Sequence, residues 1–600
     1  MRDLRFELTA EQAKIVDCDA TAISVVASAG TGKTEVVARR IERLLQDRSN
    51  ASPVLALTYT VKAADELRDR IRARLGDLDR YVEAETIHRF AHSLLLQFGT
   101  YIGLPPDIEV LTKLEDRAEL LVRWLDGRIC SVPDDITATF NALDVGRARL
   151  KTPPLLKEWD AALSSIGAVD YPSMLTSAID LLELSPIRRT TAERYGHVIV
   201  DEAQNLTPAQ YRLLTLLIGG PNLKGKQLSA TLVGDAKQSV VGFAGGDHTL
   251  MERFCEQYEA ERFELKENFR SAKNIAAFGA SVATRLDSSQ ESRTPGIHYA
   301  AAGRVERYEA PGEGEEGRYV ATWIKGLLDG GIPEDALAVG EAGHVRPEDV
   351  AVLARSSSAL LQTQSALDDL GIESATAASP EDWLSTRLGR LVLATIDLRA
   401  NPHHRSARWH AARILEVDEE NVASLSELAK LLERHPVRQG LAPLYEMNTP
   451  EGLVDTLQQV SLPDKDDPER YAAWNTDVCL IEETWNSFVE RTRPDGRTWP
   501  AFSQHLMWVQ RGRLMDPGVR LLTVHKAQGR EFRAVALIGL NKGQFPDFRA
   551  VSREQARAEL RTFYVAVTRP SRMLLLTRAQ TRHGRYGPFY PNPSPFVDWN

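Results

Sequence analysis

The chain has 600 residues, a mass of 66.7 kDa and a net charge of −10, so at about 150 residues per domain it holds several domains. Its 43% hydrophobic and 26% charged content is typical of a folded globular protein and excludes a disordered or fibrous chain. The four cysteines are far apart and form no C-x-x-C pair, which disfavours a disulfide framework and favours a reducing, cytoplasmic compartment. No apolar run approaches the roughly 18 residues of a membrane span, so we expect no membrane-spanning segment.

A glycine-rich loop near the start of the chain is the first functional signal. A β-rich run leads into residues 27–34, ASAGTGKT, and an amphipathic helix follows. Gly30 and Gly32 allow backbone N–H groups to surround a phosphate, while Lys33 would reach the terminal phosphates and Thr34 would hold Mg²⁺. The alternative is a chance glycine-rich turn between a strand and a helix, because the strict phosphate-loop pattern begins with glycine rather than alanine.

A second signal is a pair of acids that follows a buried strand. The apolar residues 198–200 predict the strand, and Asp201 and Glu202 come directly after it. Asp201 could hold Mg²⁺ and Glu202 could orient an attacking water. By itself such a pair is as readily an ordinary strand end, but together with the phosphate loop it predicts a nucleotide hydrolase.

The spacing of these two signals predicts an insertion. Lys33 and Asp201 lie too far apart for one compact α/β unit. Residues 93–189 between them are mostly helical, with prolines as breaks, and are therefore predicted to be inserted. A further strand over 231–235 leads to Gln238, a neutral group that could sense a terminal phosphate, and to the loop aromatic Phe243.

The second half repeats the α/β pattern without a phosphate loop. Residues 376–514 are helical, polar and tryptophan-bearing, which predicts a second insertion, and 303–317 is acidic and glycine-rich, which predicts a loop or linker. The predicted strands of this half are 349–354, 519–524, 534–538 and 573–577.

Ordered segments from residue 8 to residue 596 resemble the motifs of superfamily 1A DNA helicases of the UvrD/Rep/PcrA type. Each segment is modest alone, but the ordered set is specific. The segments are 8–12, 57–64, 86–90, 201–204, 234–243, 267–271, 523–532 and 564–569.

The resemblance implies an α/β fold with two RecA-like parallel-sheet motor domains, each carrying a mainly helical insertion. We name the parts by residue range. They are domain 1A (1–92 and 190–266), insertion 1B (93–189), domain 2A (267–375 and 515–600) and insertion 2B (376–514).

The resemblance also implies an ATP site between the two motor domains. Arg270 and Arg569 would reach the γ-phosphate from domain 2A, where guanidinium groups can neutralise charge on the transferred phosphoryl group. The alternative for both arginines is an ordinary surface salt bridge. The implied catalytic residues are Lys33, Glu202, Gln238, Arg270 and Arg569; the implied nucleotide contacts are Gln12, Ala29, Gly30, Thr31, Gly32, Lys33, Thr34, Phe269 and Glu531; and the implied Mg²⁺ ligands are Thr34 and Asp201.

A single strand of DNA is the implied polymer substrate. Its bases would stack on aromatic side chains, which tolerates any sequence. Tyr59 and Phe243 are the stacking candidates, although core packing is an equal alternative for both. The candidate backbone contacts are Thr58, Thr60, His88, Arg355, Thr523 and His525.

Four positions depart from the family pattern. Val241 and Ala244 stand where Tyr and Arg are usual, so one DNA contact would be missing. Glu35 replaces an adenine-packing arginine, which would leave nucleotide discrimination to Gln12 and Phe269, and Pro570 replaces an alanine.

The leading hypothesis is an ATP- and Mg²⁺-dependent translocase on single-stranded DNA that unwinds duplexes 3′ to 5′, acting at single-strand/duplex junctions. A second is a weakly unwinding motor that displaces proteins from DNA or serves a protein partner in a repair or anti-phage defence complex. A third is an ATP-binding scaffold that never contacts DNA.

Overall fold

The computed structural model describes most of the chain. The described residues are 8–28, 30–46, 52–106, 108–126, 133, 135–220, 227–235, 238, 245–247, 249–286, 301–376, 387–415, 417, 425–434, 441–459, 468–512, 518–584 and 587–599. Four of the residues singled out above, Ala29, Val241, Phe243 and Ala244, lie outside these ranges.

The strands of the described residues form two main sheets and one short ladder. They are β1 Ala22–Ala27, β2 Val54–Thr58, β3 Val82–Thr86, β4 Glu109–Leu111, β5 Ala168–Asp170, β6 His197–Val200, β7 Ser229–Gly234, β8 Glu261–Leu265, β9 Arg304–Gly312, β10 Val350–Ala354, β11 Ser374–Thr376, β12 Val519–Thr523, β13 Phe532–Leu537, β14 Pro570–Gly584 and β15 Gly587–Phe589.

The helices lie around these sheets and make up both insertions. They are α1 Ala10–Asp17, α2 Lys33–Gln46, α3 Val61–Leu75, α4 Ile87–Phe98, α5 Leu114–Leu125, α6 Ile136–Ala148, α7 Leu156–Ile166, α8 Tyr171–Glu183, α9 Ser185–Glu193, α10 Pro208–Ile218, α11 Leu250–Tyr258, α12 Lys273–Leu286, α13 Glu313–Gly330, α14 Leu361–Asp369, α15 Arg387–Ala400, α16 Arg405–Leu415, α17 Leu425–Glu433, α18 Ala442–Glu446, α19 Leu453–Gln459, α20 Pro468–Arg491, α21 Trp499–Gly512 and α22 Arg553–Val567.

The first sheet belongs to domain 1A and is parallel, in the order β3-β2-β6-β7-β1-β8. Its inner strands are mostly apolar on both faces because helices cover both sides. In β6, Val198 and Val200 join the core that also holds α4 and α8, whereas Ile199 joins the core under α2. The period of two along the strand therefore divides its side chains between two hydrophobic layers.

The second sheet belongs to domain 2A and runs β11-β12-β10-β13-β14, with β9 parallel to the other edge of β14 and β15 antiparallel to its end. The predicted α/β class with parallel sheets is confirmed. The predicted strands of both halves each overlap an observed strand.

One sequence expectation is wrong. Residues 303–317 are not a loop or linker, because they form β9 and the start of α13. Strand β9 pairs with β14 from Arg304 to Gly312, so its backbone hydrogen bonds come from a partner about 270 residues away, and no local pattern reports that pairing.

The insertions contact each other through α16 of insertion 2B. Trp409 is 2% exposed and lies in the hydrophobic core of insertion 1B rather than in that of its own insertion. Beside it, the buried Asp116 of insertion 1B forms ion pairs with Arg390 and with Arg413, the latter at 2.8 Å. His410 Nε2 lies 3.0 Å from Glu109 Oε1.

Among the described residues, none of the helices combines the length and the hydropathy that a bilayer crossing requires.

Candidate functional site

At Gly30 and Gly32 the glycine-rich loop is suited to glycine rather than to a residue with a side chain. Gly30 and Gly32 both have φ of +78°, a left-handed conformation that favours glycine. A Cβ at Gly30 would lie 2.5 Å from the Asn268 side chain and 2.7 Å from the Arg270 Cβ. The loop then enters α2 at Lys33, so backbone amides and a helix N-terminus face the same small space.

Gln12 and Phe269 both contact this loop. The Gln12 amide, which is buried and also closes the capping box of α1, donates from Nε2 to the Thr31 carbonyl at 3.2 Å. The Phe269 N–H donates to the Gly30 carbonyl at 2.7 Å, and its ring lies 4.0 Å from where a Gly32 Cβ would be. The predicted adenine contacts therefore lie at the loop.

The acidic pair faces the loop from the end of β6. Lys33 Nζ is 3.6 Å from Glu202 Oε1, and Asp201 Oδ1 accepts the Glu202 N–H at 2.8 Å. Burial and the neighbouring Glu202 raise the pKa of Asp201. Burial also acts upward on the pKa of Glu202, but Lys33, Gln204 and the two arginines outweigh it and lower that pKa, so Glu202 is held as the carboxylate.

Arg569 reaches this group from domain 2A. Its guanidinium is buried and donates from Nη2 to Gln238 Oε1 at 3.1 Å, from Nε to the Val565 carbonyl at 2.9 Å and from Nη1 to the Arg530 carbonyl at 3.1 Å. Burial, and then the nearby Arg270, lower its pKa to about 10. It remains a cation at neutral pH and lies within reach of Gln238.

Arg270 lies at the mouth of the same cleft. Its Nε is 2.5 Å from Glu531 Oε2, and Glu531 is more than half exposed. Because the Arg270 Cβ adjoins Gly30, a phosphate on the loop would lie within the span of the arginine side chain. Glu531, an expected nucleotide contact, is here the ion-pair partner of Arg270.

The structure thus brings together nearly all of the predicted nucleotide residues, while Ala29 lies outside the described residues. Thr34 and Asp201, the predicted Mg²⁺ ligands, are one hydroxyl and one buried carboxylate, which suits an ion that keeps several waters and binds substrate phosphates. The described residues hold no cluster of three or more histidine, cysteine or acidic side chains that could bind a metal by themselves.

The predicted DNA contacts of domain 1A follow β2 and β3. Thr58 donates to the Thr60 carbonyl at 3.0 Å, and Thr60 in turn caps α3 by accepting the Ala63 N–H at 3.2 Å. Tyr59 is partly buried and packs against a hydrophobic core of domain 2A. It therefore lies between the two motor domains.

A half-exposed aromatic side chain accompanies the predicted contact His88. Burial lowers the pKa of His88 to about 4, so the ring is neutral at physiological pH. It meets the ring of Tyr171 edge-on, with centroids 5.4 Å apart, and Tyr171 is 50% exposed. Sequence reasoning missed Tyr171 because only the packing of α8 on α4 brings it to His88.

The predicted contacts of domain 2A lie at the carboxyl ends of β10 and β12. Arg355 binds Glu559 through Nε and Nη2 at 2.8–3.1 Å, so its guanidinium is fixed. Thr523 ends β12. Burial, and then Arg355, lower the pKa of the adjacent His525 to about 4.

A cavity of about 540 Å³ opens on the same side of domain 2A. Its lining includes Ser358, Gln362, Gln544, His583 and Phe548, and Phe548 is 69% exposed. The sequence carries no signal for it, because its walls come from four separate segments.

Two departures from the family pattern have a structural account. Glu35 binds Arg39, Arg70 and Arg74 of α2 and α3, so it serves the internal packing of domain 1A. Pro570 begins β14, and its carbonyl accepts the Ser271 hydroxyl at 3.2 Å.

Comparisons with known proteins identify the family. The UvrD/REP helicase N-terminal domain matches residues 8–132 and 146–259, and the UvrD-like helicase C-terminal domain matches residues 508–581; together they cover just over half of the chain.

Curated relatives align over nearly the whole chain. DNA helicase II of Escherichia coli is 26% identical over 98% of this chain and 87% of its own length. ATP-dependent DNA helicase UvrD1 of Mycobacterium tuberculosis is 25% identical over 96% and 82%, and ATP-dependent DNA helicase PcrA of Staphylococcus epidermidis is 25% identical over 97% and 84%. The chain therefore belongs to the UvrD/Rep family and is a helicase of the UvrD/PcrA type, as its ordered segments predict.

Proposed function

We propose that this UvrD-type helicase is an ATP-driven motor that moves 3′ to 5′ along single-stranded DNA and separates the duplex ahead of it. The observation that carries the proposal is the meeting of two sets of groups in one cleft. A glycine loop, a lysine and two acids come from domain 1A, and two arginines come from domain 2A.

The cleft has the charges that phosphoryl transfer requires. Lys33, Arg270 and Arg569 would neutralise negative charge that spreads over the phosphate oxygens in the transition state. Glu202, held as a carboxylate, would orient the attacking water, and Gln238 would contact it or the terminal phosphate. Thr34 and Asp201 would hold Mg²⁺, which supplies charge neutralisation at the phosphates.

Hydrolysis in this cleft would change the contact between two rigid sheets. With a triphosphate bound, groups of both motor domains share one ligand, and after its release only the direct contacts remain. Because the DNA candidates lie on both domains, closing and opening of the cleft would move one set of DNA contacts relative to the other.

The DNA candidates form two groups. The predicted contacts Thr58, Tyr59, Thr60 and His88 belong to domain 1A, and Arg355, Thr523 and His525 belong to domain 2A. To these we add two exposed aromatic residues, Tyr171 of insertion 1B and Phe548 of domain 2A. Stacking of one base on an exposed aromatic ring is worth about 1–3 kcal/mol and does not depend on sequence. This fits a motor that must pass every base.

The direct test compares unwinding of duplexes that carry a 3′ or a 5′ single-stranded tail, with ATP turnover measured on the same DNA. We expect ATP turnover stimulated by both tails and unwinding from the 3′ tail. Unwinding only from the 5′ tail would reverse the proposed direction, and turnover unaffected by DNA would favour the scaffold hypothesis.

A second arm uses a tailed duplex blocked by a tightly bound protein. Efficient removal of the protein with little strand separation would favour the weakly unwinding motor. The proposed function expects strand separation on the unblocked duplex at a comparable or greater rate.

A further inference from the structure

The segment that carries Phe269 and Arg270 is fastened to the start of β14. The Asn268 side chain accepts the N–H groups of Arg270 and Ser271 at 2.9 and 3.0 Å, which fixes a tight turn. The Ser271 hydroxyl donates to the Pro570 carbonyl, and the Ala272 N–H donates to the Ser571 carbonyl at 2.9 Å. Arg569 immediately precedes β14. The backbone segments that carry Arg270 and Arg569 are therefore hydrogen-bonded to each other.

The Arg572 side chain adds a further hydrogen bond between these two segments. It is 6% exposed. Its Nη1 donates to the carbonyl of Arg270 at 3.0 Å and to that of Ser571 at 2.9 Å. Arg572 therefore holds the backbone from which the Arg270 side chain extends.

Glu341 fixes the direction of the Arg572 guanidinium. Both oxygens of Glu341 accept from Arg572 Nε at 2.9 Å. Glu341 is itself held by the Ala338 N–H at 3.2 Å and by Arg533 Nη2 at 3.1 Å. Burial raises the pKa of Glu341, but the bonds from Arg572 and Ala338 outweigh it and lower that pKa, so the pair is ionised.

We propose that Arg572, oriented by Glu341, is a positioning residue that holds the Arg270 guanidinium in place for phosphoryl transfer. This rests on the proposed function, in which Arg270 acts on the γ-phosphate. Arg572 acts through the Arg270 backbone and contributes nothing to nucleotide binding by itself.

The physical reason is the sensitivity of transition-state stabilisation to position. A guanidinium stabilises developing charge only if it is already aimed at the oxygen that carries the charge, and an error of about 1 Å can cost roughly a hundredfold in rate. Arg270 is paired with the exposed Glu531, a contact that it would have to exchange for the phosphate. A fixed backbone ensures that the side chain returns to one place when it leaves that partner.

The test is a double-mutant cycle with Arg572→Met and Arg270→Ala, measured as DNA-stimulated ATP turnover. We expect Arg572→Met to lower kcat by roughly 10- to 100-fold, while KM and the Kd of a fluorescent ATP analogue change by less than about threefold. In the Arg270→Ala background the same change should cost less than about twofold, because the positioned side chain is already absent.

A matched control lies on the same strand. Arg578 of β14 pairs with Glu309 at 2.7 Å and is 12% exposed, but it does not contact Arg270. Arg578→Met should leave kcat within about twofold of the unmodified chain while it loses a similar ion pair. A second variant, Glu341→Gln, keeps Arg572 and should lower kcat in the same direction, again only when Arg270 is present.

The outcomes separate the positioning role from the proposed function. If Arg270→Ala leaves kcat unchanged, the proposed function fails at this arginine and the positioning role falls with it. If Arg270→Ala slows turnover and Arg572→Met lowers kcat by the same factor in both backgrounds, the positioning role alone is overturned. Equal losses for Arg572→Met and Arg578→Met would also overturn it.

Discussion

The cleft between domains 1A and 2A is lined by charged and amide side chains, whereas the contact between insertions 1B and 2B is closed by a buried tryptophan. In the cleft, Arg569 meets Gln238 and Lys33 meets Glu202. Between the insertions, Trp409 completes the hydrophobic core of the neighbouring insertion, and Asp116 joins two arginines.

This difference in the groups that form the two contacts predicts which contact changes during ATP turnover. In the proposed function, charged groups in the cleft would gain new partners when a triphosphate binds and lose them when it leaves, so the cleft would respond to the nucleotide. Exposing Trp409 would forfeit several kcal/mol of packing, and no ligand compensates for it. We therefore expect motion in the cleft and a persistent contact between the insertions.

The largest effect is expected from Lys33→Met. It removes the cation that faces Glu202 and the phosphates, so ATP turnover should fall at least about a hundredfold. Affinity for single-stranded DNA should stay within about threefold, as measured by fluorescence anisotropy. Normal turnover in this variant would show that the glycine loop is not the nucleotide site.

Trp409→Ala tests the other contact. It leaves a large cavity in the core of insertion 1B, and the expected loss of unfolding free energy is about 3–5 kcal/mol, measured by denaturant titration. The control Trp323→Ala changes a partly buried tryptophan of domain 2A and should cost less. An equal or smaller loss at Trp409 would mean that the insertions separate without strain.

Asp116→Asn keeps the shape of that side chain but removes its charge. Arg390 would then lose this ion pair and Arg413 would keep only its pair with Glu119 at 3.1 Å, which we expect to cost about 3 kcal/mol. Differential scanning calorimetry should show a lower Tm. An unchanged Tm would indicate that the two arginines find other partners.

The smallest effect concerns pH. Burial raises the pKa of Glu109, but His410 outweighs burial and lowers it below its ordinary value of 4.5. Its contribution to stability is therefore present above pH 4.5 and is lost as the pH falls below that value. Glu109→Gln should lower stability by about 1–2 kcal/mol at pH 7, and the difference should shrink at pH 4. A constant difference would contradict the lowered pKa of Glu109.

Local patterns were enough to predict the parts of the nucleotide site that lie in short segments. The loop at Gly30 and Gly32 and the strand before Asp201 are each encoded within about ten residues. Their meeting with Arg270 and Arg569 came from the family resemblance, not from any local pattern.

The failures have a common physical cause. Strand β9 exists because β14 pairs with it, Tyr171 adjoins His88 because α8 packs on α4, and Trp409 is buried because another insertion covers it. Each depends on a contact between residues that are distant in sequence, and glycine-rich or polar composition gives the opposite local signal at β9. Sequence alone also gave no reason to single out Arg572.

The most direct test of the central claim is single-turnover ATP hydrolysis by Arg569→Lys in the presence of single-stranded DNA, together with the Kd for ATP. Lysine keeps the charge but lacks the planar fork that bonds Gln238 and two carbonyls at once. We predict a fall in the hydrolysis rate of at least about a hundredfold with a Kd within about threefold. Unchanged hydrolysis would contradict a site completed by domain 2A.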